Sequence, residues 1–159
     1  MQTELVTDAS FWIDLRDGDV LFLPFQLDFR WLTTDFVAEE ISRHIPDFAE
    51  SLYTTGLTAM SLEPALVEQL SVLSRTKEAK GLSKADLSCF VLARSLGTKL
   101  ITSDKVLRGF SEQRDIEVHG TLWVLKLLEA DGILASNHKA RALNRMREGG
   151  SWLPPGECR

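Results

Sequence analysis

The chain has 159 residues, of which 44% are apolar and 26% are charged, and its formal net charge is −5. This length suits one domain with a complete hydrophobic core, spanning residues 1–159, and the composition excludes disordered and fibrous proteins. The acidic balance argues against a protein that holds nucleic acid by bulk positive charge, because neutralising phosphates requires Lys and Arg.

Signals for export and for membrane insertion are missing from the sequence. No apolar run approaches the roughly 20 residues that a membrane-spanning helix needs. The first residues do not form a basic segment followed by a long apolar one, as a secretion signal would. The two cysteines, Cys89 and Cys158, are far apart and match neither a zinc site nor a disulfide framework. We therefore expect a cytoplasmic protein without membrane association.

Strands and helices alternate along the first half of the sequence. A proline favours the first turn of a helix and a glycine favours its end, so Pro64 and Gly81 bound one long helix. The predicted elements are a strand at 5–7, an apolar β-like run at 20–25 that Pro24 breaks, a helix capped by Thr33 or Thr34 and reaching about residue 44, a strand at 57–62, and a helix at 64–81.

The second half continues the same alternation. Ser83 caps a helix that Gly97 ends. The predicted elements are this helix at 84–96, a strand at 99–103, a short helix beginning near Asp104, a strand at 116–118, and helices at 121–130 and 136–148. Strands that alternate with helices predict an α/β fold, with a parallel sheet covered by helices on both faces.

Two acidic residues follow predicted strands. Asp8 comes directly after the first strand, and Asp104 comes directly after the strand at 99–103. In open α/β sheets, ligands bind outside the carboxyl ends of the strands. These two carboxylates could therefore lie side by side at a binding edge.

Two further acids lie on helices that face the interior. Glu40 follows Phe36 and Val37 at helical spacing and shares their inward-facing side, and a buried carboxylate needs a partner. Asp86 lies in the first turn of a helix that is apolar nearly all round, where the helix N-terminus favours negative charge. Glu40 and Asp86 are therefore the third and fourth candidates for the same site.

Each of the four acids also has an ordinary structural interpretation. Asp8 could be a polar residue that leaves a strand, and Asp104 could cap a helix. Asp86 matches a capping-box variant, and Glu40 could pair with a Lys or an Arg. Because the chain contains 23 acids, the hypothesis of a functional site depends on the four together.

Four carboxylates at one site predict a hard metal ion. They would repel one another and raise one another's pKa values unless a cation neutralised them. Hard divalent ions take oxygen ligands, and the absence of patterned His or Cys favours Mg²⁺ or Mn²⁺ over zinc. Such an ion activates water for an in-line attack on a phosphodiester.

Other kinds of active site fit the sequence less well. A haloacid-type phosphatase would need a second aspartate where Ser10 stands, and neither a Gly-rich phosphate loop nor a nucleophile elbow is present. His44, His119 and His138 lack ligand spacing. Cys89 falls in an apolar helix, where a buried thiol is usually inert.

Five stretches of the sequence form motifs, and four of them contain the acids: residues 6–10 (VTDAS), 36–41 (FVAEEI), 82–86 (LSKAD) and 100–104 (LITSD), with 93–97 (ARSLG) between the last two. Together with the tail segments 120–125, 132–134 and 150–153, they resemble the motifs of the PIN-domain family, in its VapC-like, toxin-related branch. The resemblance covers essentially the whole chain.

The resemblance implies a three-layer α/β/α sandwich with a central, mainly parallel sheet, with helices 121–148 packed on it and a short tail at 150–159. It implies a Mg²⁺- or Mn²⁺-dependent endoribonuclease for single-stranded RNA, frequently a homodimer, with a small antitoxin as a partner. The alternative is a catalytically silent PIN module that acts as a binding or regulatory scaffold.

By the same resemblance, four residues form the catalytic and metal site and two hydroxyls support it. The acids are Asp8, Glu40, Asp86 and Asp104, and the supporting residues are Ser10 and Thr102. Lys84, Lys105 and Arg108 adjoin these motifs in sequence and are candidates for binding substrate phosphate.

The basic last helix and the aromatic segment 22–31 each allow two interpretations from the sequence. The basic residues of the last helix (Lys139, Arg141, Arg145 and Arg147) form either a solvated face or a surface for RNA or an acidic partner. The aromatic segment 22–31 either packs inside the domain, which we favour, or binds a partner.

Overall fold

The computed structural model describes residues 2–153, and its centre is a five-stranded sheet in the order β3-β2-β1-β4-β5. All neighbouring strands are parallel. The strands are β1 (Thr3–Thr7), β2 (Phe29–Thr34), β3 (Thr58–Met60), β4 (Lys99–Ile101) and β5 (Val118–His119).

Helices flank this sheet in two groups. Helices α1, α7 and α8 pack on one another, and α5 packs against α2, α4, α6 and the central strands. Within the described residues the helices are α1 (Ala9–Asp17), α2 (Asp35–His44), α3 (Ala49–Thr55), α4 (Pro64–Ser74), α5 (Lys84–Leu96), α6 (Lys105–Glu112), α7 (Thr121–Ala130) and α8 (Ser136–Glu148). The α/β fold with a parallel sheet is the one that the sequence predicted.

The central strands are apolar on both faces because helices cover both. Leu5 and Val6 of β1 are completely buried, and so are Leu32 of β2 and Leu100 of β4. Consecutive buried residues are typical of strands in parallel sheets, whereas a half-exposed strand would alternate.

The predicted helix boundaries are confirmed where a capping residue defines them. Thr34 accepts a hydrogen bond from the amide of Val37 at the start of α2. Ser83 caps α5, and Gly97 ends that helix in the left-handed conformation with φ of 64°. Helices α7 and α8 have the bounds predicted from the sequence.

The predicted strand at 20–25 is wrong. Pro24 lies in a 3-10 helix, Leu23–Gln26, since its ring fixes φ and removes a strand hydrogen-bond donor. The second strand is β2, which runs directly into α2, so that its last residue, Thr34, is also the helix cap. The sequence interpretation used that threonine only as a cap.

Other boundaries also differ from the predictions. Helix α4 ends at Ser74, and a separate 3-10 turn, Lys77–Ala79, precedes Gly81. The last strand begins at Val118, two residues later than predicted, because its register against Leu100 and Ile101 sets its position. Helices α1 and α3 were not predicted.

The aromatic segment 22–31 packs within the domain, as favoured. Trp31 is 1% exposed and lies among Phe11, Trp12 and Phe29, with ring centroids 5.7 to 5.9 Å apart. These contacts join α1 to β2.

Within residues 2–153, no helix is both long and apolar enough to cross a membrane. Helices α7 and α8 pack against α1. Of the predicted tail, residues 150–153 are described, whereas 154–159, and Cys158 with them, lie outside the described residues.

Candidate metal site at the carboxyl end of the sheet

The strand order creates a crevice between β1 and β4. The chain adds β2 and β3 on one side of β1 and then places β4 on the other side, so the direction of winding reverses there. Thr7 pairs with Ile101 at the carboxyl ends of these two strands. Open α/β sheets bind ligands at such a reversal. Asp8 and Thr102 are the next residues of the two strands and therefore flank the crevice.

Asp8 is buried and hydrogen-bonded on both carboxylate oxygens. Its exposed fraction is only 2%. The Ser10 hydroxyl lies 2.8 Å from each oxygen and donates to the carboxylate, and the Thr102 hydroxyl donates to Oδ2. The amide of Phe11 donates to Oδ1 at 3.2 Å, so that Asp8 also caps α1.

The same two hydroxyls join the loops that follow β1 and β4. Ser10 Oγ accepts a hydrogen bond from the Ser103 amide at 3.0 Å, and Thr102 Oγ1 accepts one from the Asp104 amide at 3.0 Å. Each hydroxyl thus accepts from one loop and donates to Asp8. Ser10 and Thr102 lie where the sequence interpretation expected supporting hydroxyls, and they fix the orientation of the carboxylate.

Asp104 caps α6 with one oxygen. Its Oδ1 accepts from the amides of Val106 at 2.8 Å and Leu107 at 3.0 Å. Among residues 2–153, no donor is hydrogen-bonded to its Oδ2. The structural interpretation of Asp104 as a helix cap is therefore correct, and it leaves one carboxylate oxygen able to bind a further group.

Asp86 also has the structural role that the sequence allowed. The Ser83 amide donates to Asp86 Oδ2 at 2.9 Å, and the Asp86 amide donates to Ser83 Oγ at 3.0 Å, which completes a capping box. Behind this turn, Ser88 Oγ lies 2.7 Å from Thr34 Oγ1 and holds α5 against the end of β2. Asp86 is thereby kept near the crevice.

Glu40 is half-buried on the inner side of α2, next to the fully buried Ile41. Burial raises the pKa of Glu40, and the charge of Asp86 raises it further, whereas Arg43 and His44 lower it. Neither of these two side chains forms an ion pair with Glu40 among the described residues. The alternative of a simple Lys or Arg partner is therefore not supported.

Asp86 is electrostatically coupled to the other three carboxylates. Burial raises the pKa of Asp8 to about 7, and the charge of Asp86 adds to the rise. Burial likewise raises the pKa of Asp86, with Asp104 contributing. Asp86 therefore lies within electrostatic range of Asp8, Glu40 and Asp104, and adding negative charge to this site is costly without a cation.

The oxygen-rich donor set fits a hard divalent ion, but the side chains do not form a finished cage. Within residues 2–153, no group of three or more His, Cys, Asp or Glu side chains is placed to hold a metal ion together. Mg²⁺ usually keeps several waters and takes only one or two carboxylates directly. The residues therefore fit a largely hydrated ion.

Comparison with known families agrees with this geometry. The family model described as PIN domain, DUF3368, matches residues 4–159. The chain belongs to the PIN-domain family. PIN domains are generally associated with nucleases and usually bind divalent metals.

The fold of this PIN domain is also that of a solved structure. A PilT N-terminus domain protein from the hyperthermophilic archaeon Sulfolobus solfataricus P2 superposes with a TM-score of 0.59. The match covers 78% of this chain and 92% of that chain at 12% sequence identity, which shows a shared fold alone. No curated protein matches the chain in sequence.

One buried acid of the PIN domain was missed from the sequence. Asp14 is 5% exposed on the inner side of α1, and the Thr121 hydroxyl donates to its Oδ2 at 2.8 Å. Burial raises the pKa of Asp14, and hydrogen bonds from Ser103 and Thr121 partly offset the rise. Asp14 follows the apolar Phe11 by three residues, which places it on the buried side of a helix. The sequence could indicate this burial only after α1 itself had been predicted.

The three candidate phosphate-binding cations differ in their surroundings. Lys84 and Lys105 are exposed, and Lys105 borders the same cavity as Asp104. Arg108 is largely buried, and its Nε donates to Glu112 at 3.0 Å, so it is already engaged. Lys105 is therefore the best placed of the three.

Cys89, His119 and Lys139 each have contacts that indicate a structural role. Cys89 is completely buried, and burial raises the pKa of its thiol. His119 stacks on Trp123 with ring centroids 4.2 Å apart. On α8, Lys139 pairs with Glu129 at 2.9 Å, which favours the interpretation of that end as a solvated face.

Proposed function

We propose that this PIN domain is a metal-dependent endoribonuclease that hydrolyses phosphodiester bonds of single-stranded RNA. The observation that carries the proposal is the position of Asp8. This carboxylate is buried at the crevice between β1 and β4, its pKa is raised to about 7, and Asp86 is within electrostatic range. When ionised, a buried acid next to a like charge destabilises the fold, so structural stability alone does not explain an acid at this position.

Four residues would hold the metal: Asp8, Glu40, Asp86 and Asp104. When bound, Mg²⁺ or Mn²⁺ supplies positive charge that neutralises the carboxylates and activates water for attack on a phosphodiester.

The remaining parts of the mechanism belong to the chain's own side chains. Ser10 and Thr102 hold the Asp8 carboxylate in one orientation through their hydroxyls. Each hydroxyl also accepts a hydrogen bond from a backbone amide of the β4–α6 loop. These hydrogen bonds keep the loop, and Asp104 with it, against β1. The exposed ammonium of Lys105 binds substrate phosphate next to Asp104. Together these residues fix the position of the substrate in advance, which lowers the entropic cost of reaction.

Replacing Asp86 with asparagine tests the proposal. The amide oxygen of Asn can still accept from the Ser83 amide, so Asp86→Asn keeps the capping interaction and removes only the charge. We expect Mn²⁺-dependent cleavage of single-stranded RNA to fall at least about a hundredfold, because even residues that only orient a metal ligand are worth about 10–100-fold.

The control is Glu39→Gln, which removes an exposed acid from the outer side of α2. It should leave cleavage unchanged. Full activity of both Asp86→Asn and Asp8→Asn, with the fold intact by circular dichroism, would contradict the proposal.

A silent scaffold is the second candidate, and two observations favour it. Asp86 completes the capping box of α5 and Asp104 caps α6, and the described acids form no finished cage. The scaffold predicts no Mn²⁺ affinity below the millimolar range and no cleavage of RNA by the wild-type protein. Calorimetric titration with Mn²⁺ separates the two candidates.

The resemblance to VapC-like proteins supports two further parts of the proposal. The protein would act as the toxin of a toxin–antitoxin pair, held inactive by a small antitoxin, and would form a homodimer. Growth arrest on expression, with rescue by the product of an adjacent small reading frame, tests the first part. Sedimentation equilibrium tests the second.

A further inference from the structure

A cavity of about 380 Å³ opens beside the candidate metal site, between the β4–α6 loop and the end of α8. We propose that it binds a nucleobase of single-stranded RNA, which stacks on Trp152 while Lys105 binds the adjoining phosphate. This inference rests on the proposed nuclease function and assigns that site a substrate-binding position. The residues that carry the argument are Ser10, Asp104, Lys105, Gly150 and Trp152.

The cavity shares two lining residues with the candidate metal site. Ser10 and Asp104 line it, and both belong to the hydrogen-bonded network around Asp8. A ligand in the cavity therefore lies next to the carboxylates. Its volume falls within the range of about 300–1,000 Å³ that is typical of small-molecule sites.

The end of α8 is built to bring Trp152 to this cavity. After the helix, the amide of Gly150 donates to Arg147 O and the amide of Ser151 donates to Met146 O, both at 3.0 Å. Gly150 has a φ of +93°, which L side chains rarely adopt, so the turn requires glycine. The chain thereby folds back over α1, where Gly149 closely approaches the Asp17 carboxylate.

Trp152 differs from the other three tryptophans in having no aromatic neighbour among residues 2–153. Trp12 and Trp31 are buried in the core, and Trp123 stacks on His119. Trp152 is half-buried and has no ring contact with another aromatic side chain of residues 2–153. A large apolar ring at the rim of a polar cavity is a suitable surface for a flat ligand.

The chemistry around the ring favours a base with its phosphate. Aromatic rings stack on any nucleobase and are worth about 1–3 kcal/mol per base, without sequence preference. Lys105 is exposed beside the cavity and forms no ion pair among the described residues. Three acids line the cavity, Asp14, Asp17 and Asp104, and one of them is neutralised, since Arg16 pairs with Asp17 at 3.1 Å.

The test compares Trp152→Ala with Trp152→Phe, using a short oligouridylate with phosphorothioate linkages as the probe, with Mg²⁺ present. We expect the probe to quench tryptophan fluorescence in the wild-type protein. Trp152→Ala should weaken binding about tenfold, which is 1.4 kcal/mol and within the range for one stacked base. Trp152→Phe should lose the quenching and keep most of the affinity, because phenylalanine still stacks.

Two controls make the result specific. Phe48→Ala removes an exposed aromatic ring from a separate apolar pocket and should leave the affinity unchanged. A probe that lacks its bases should bind wild type and Trp152→Ala equally. On cleavable RNA, Trp152→Ala should raise KM with little effect on kcat.

The outcomes separate this inference from the proposed function. If the wild-type protein cleaves RNA and Trp152→Ala binds and cleaves with unchanged affinity and KM, the base-binding position is wrong and the nuclease stands. If the wild-type protein cleaves no RNA, the nuclease is wrong. Absence of quenching in the wild-type protein overturns the stacking proposal in either case.

Discussion

Replacing Asp8 with asparagine should change how the stability of the metal-free protein depends on pH. Burial raises the pKa of Asp8 in the folded state from its ordinary value of 3.8 to about 7. The folded protein therefore prefers this acid protonated, whereas the unfolded chain ionises it near pH 4. Asparagine has nearly the same shape and carries no charge at any of these pH values.

The direction and the size of the pH effect on stability follow from this difference in pKa. The stability that protonated Asp8 contributes is fully present below the unfolded-state pKa of about 4 and is lost as the pH rises through about 7. One pKa unit corresponds to about 1.4 kcal/mol, so ionised Asp8 costs the fold about 4 kcal/mol above pH 7. Between pH 5 and pH 8, the wild-type protein should lose about 3 kcal/mol more than Asp8→Asn does.

Urea unfolding in EDTA at several pH values between 5 and 8 measures this difference. Asp8→Asn loses one acceptor oxygen, which costs about 1–3 kcal/mol at every pH and shifts its curve without changing the slope. The other acids with raised pKa values, such as Glu40 and Asp86, are present in both proteins. Parallel stability curves for the two proteins would refute the reasoning.

Three further substitutions have predicted effects on stability. Thr102→Val should lower the free energy of unfolding, measured by urea denaturation, by about 1–3 kcal/mol, because Asp8 loses a buried donor. An unchanged value would contradict the hydrogen-bonded network around Asp8. Gly18→Ala should cost about 1–3 kcal/mol, since its Cβ would lie 2.5 Å from the Met146 side chain in the contact between α1 and α8. Gly109→Ala, with open space around its Cβ in α6, should instead raise the melting temperature, because alanine favours a helix by about 1 kcal/mol. Equal effects of the two alanines would show that the packing of α1 on α8 is looser than described.

The sequence predicted elements best where local chemistry defines their ends. Helix α5 has a serine cap, a capping box and a left-handed glycine, and each of these acts within a few residues. Helix α1 was not predicted because its residues Phe11, Trp12 and Ile13 favour strands, and their helical conformation depends on burial against β2 and α8. Tertiary packing therefore decides this element.

In the candidate site, too, the sequence revealed what local chemistry defines and not what depends on tertiary packing. The positions of Asp8 and Asp104 follow from strand ends, which a sequence reveals. Asp14 could not be recognised, because the helix that buries it was missing from the prediction. The cap roles of Asp86 and Asp104 and a role in binding metal are compatible, since a carboxylate has two oxygens.

Calorimetric titration with Mn²⁺ at pH 7, repeated in buffers of different ionisation enthalpy, tests most directly whether these acids share a cation. Asp8 is about half protonated at this pH, so the wild-type protein should release about half a proton as the ion binds. Asp8→Asn should bind Mn²⁺ more weakly and without this proton release, and Glu39→Gln should behave as the wild type does. Equal Mn²⁺ affinity and equal proton release in the wild-type protein and Asp8→Asn would contradict a metal site at the carboxyl ends of β1 and β4.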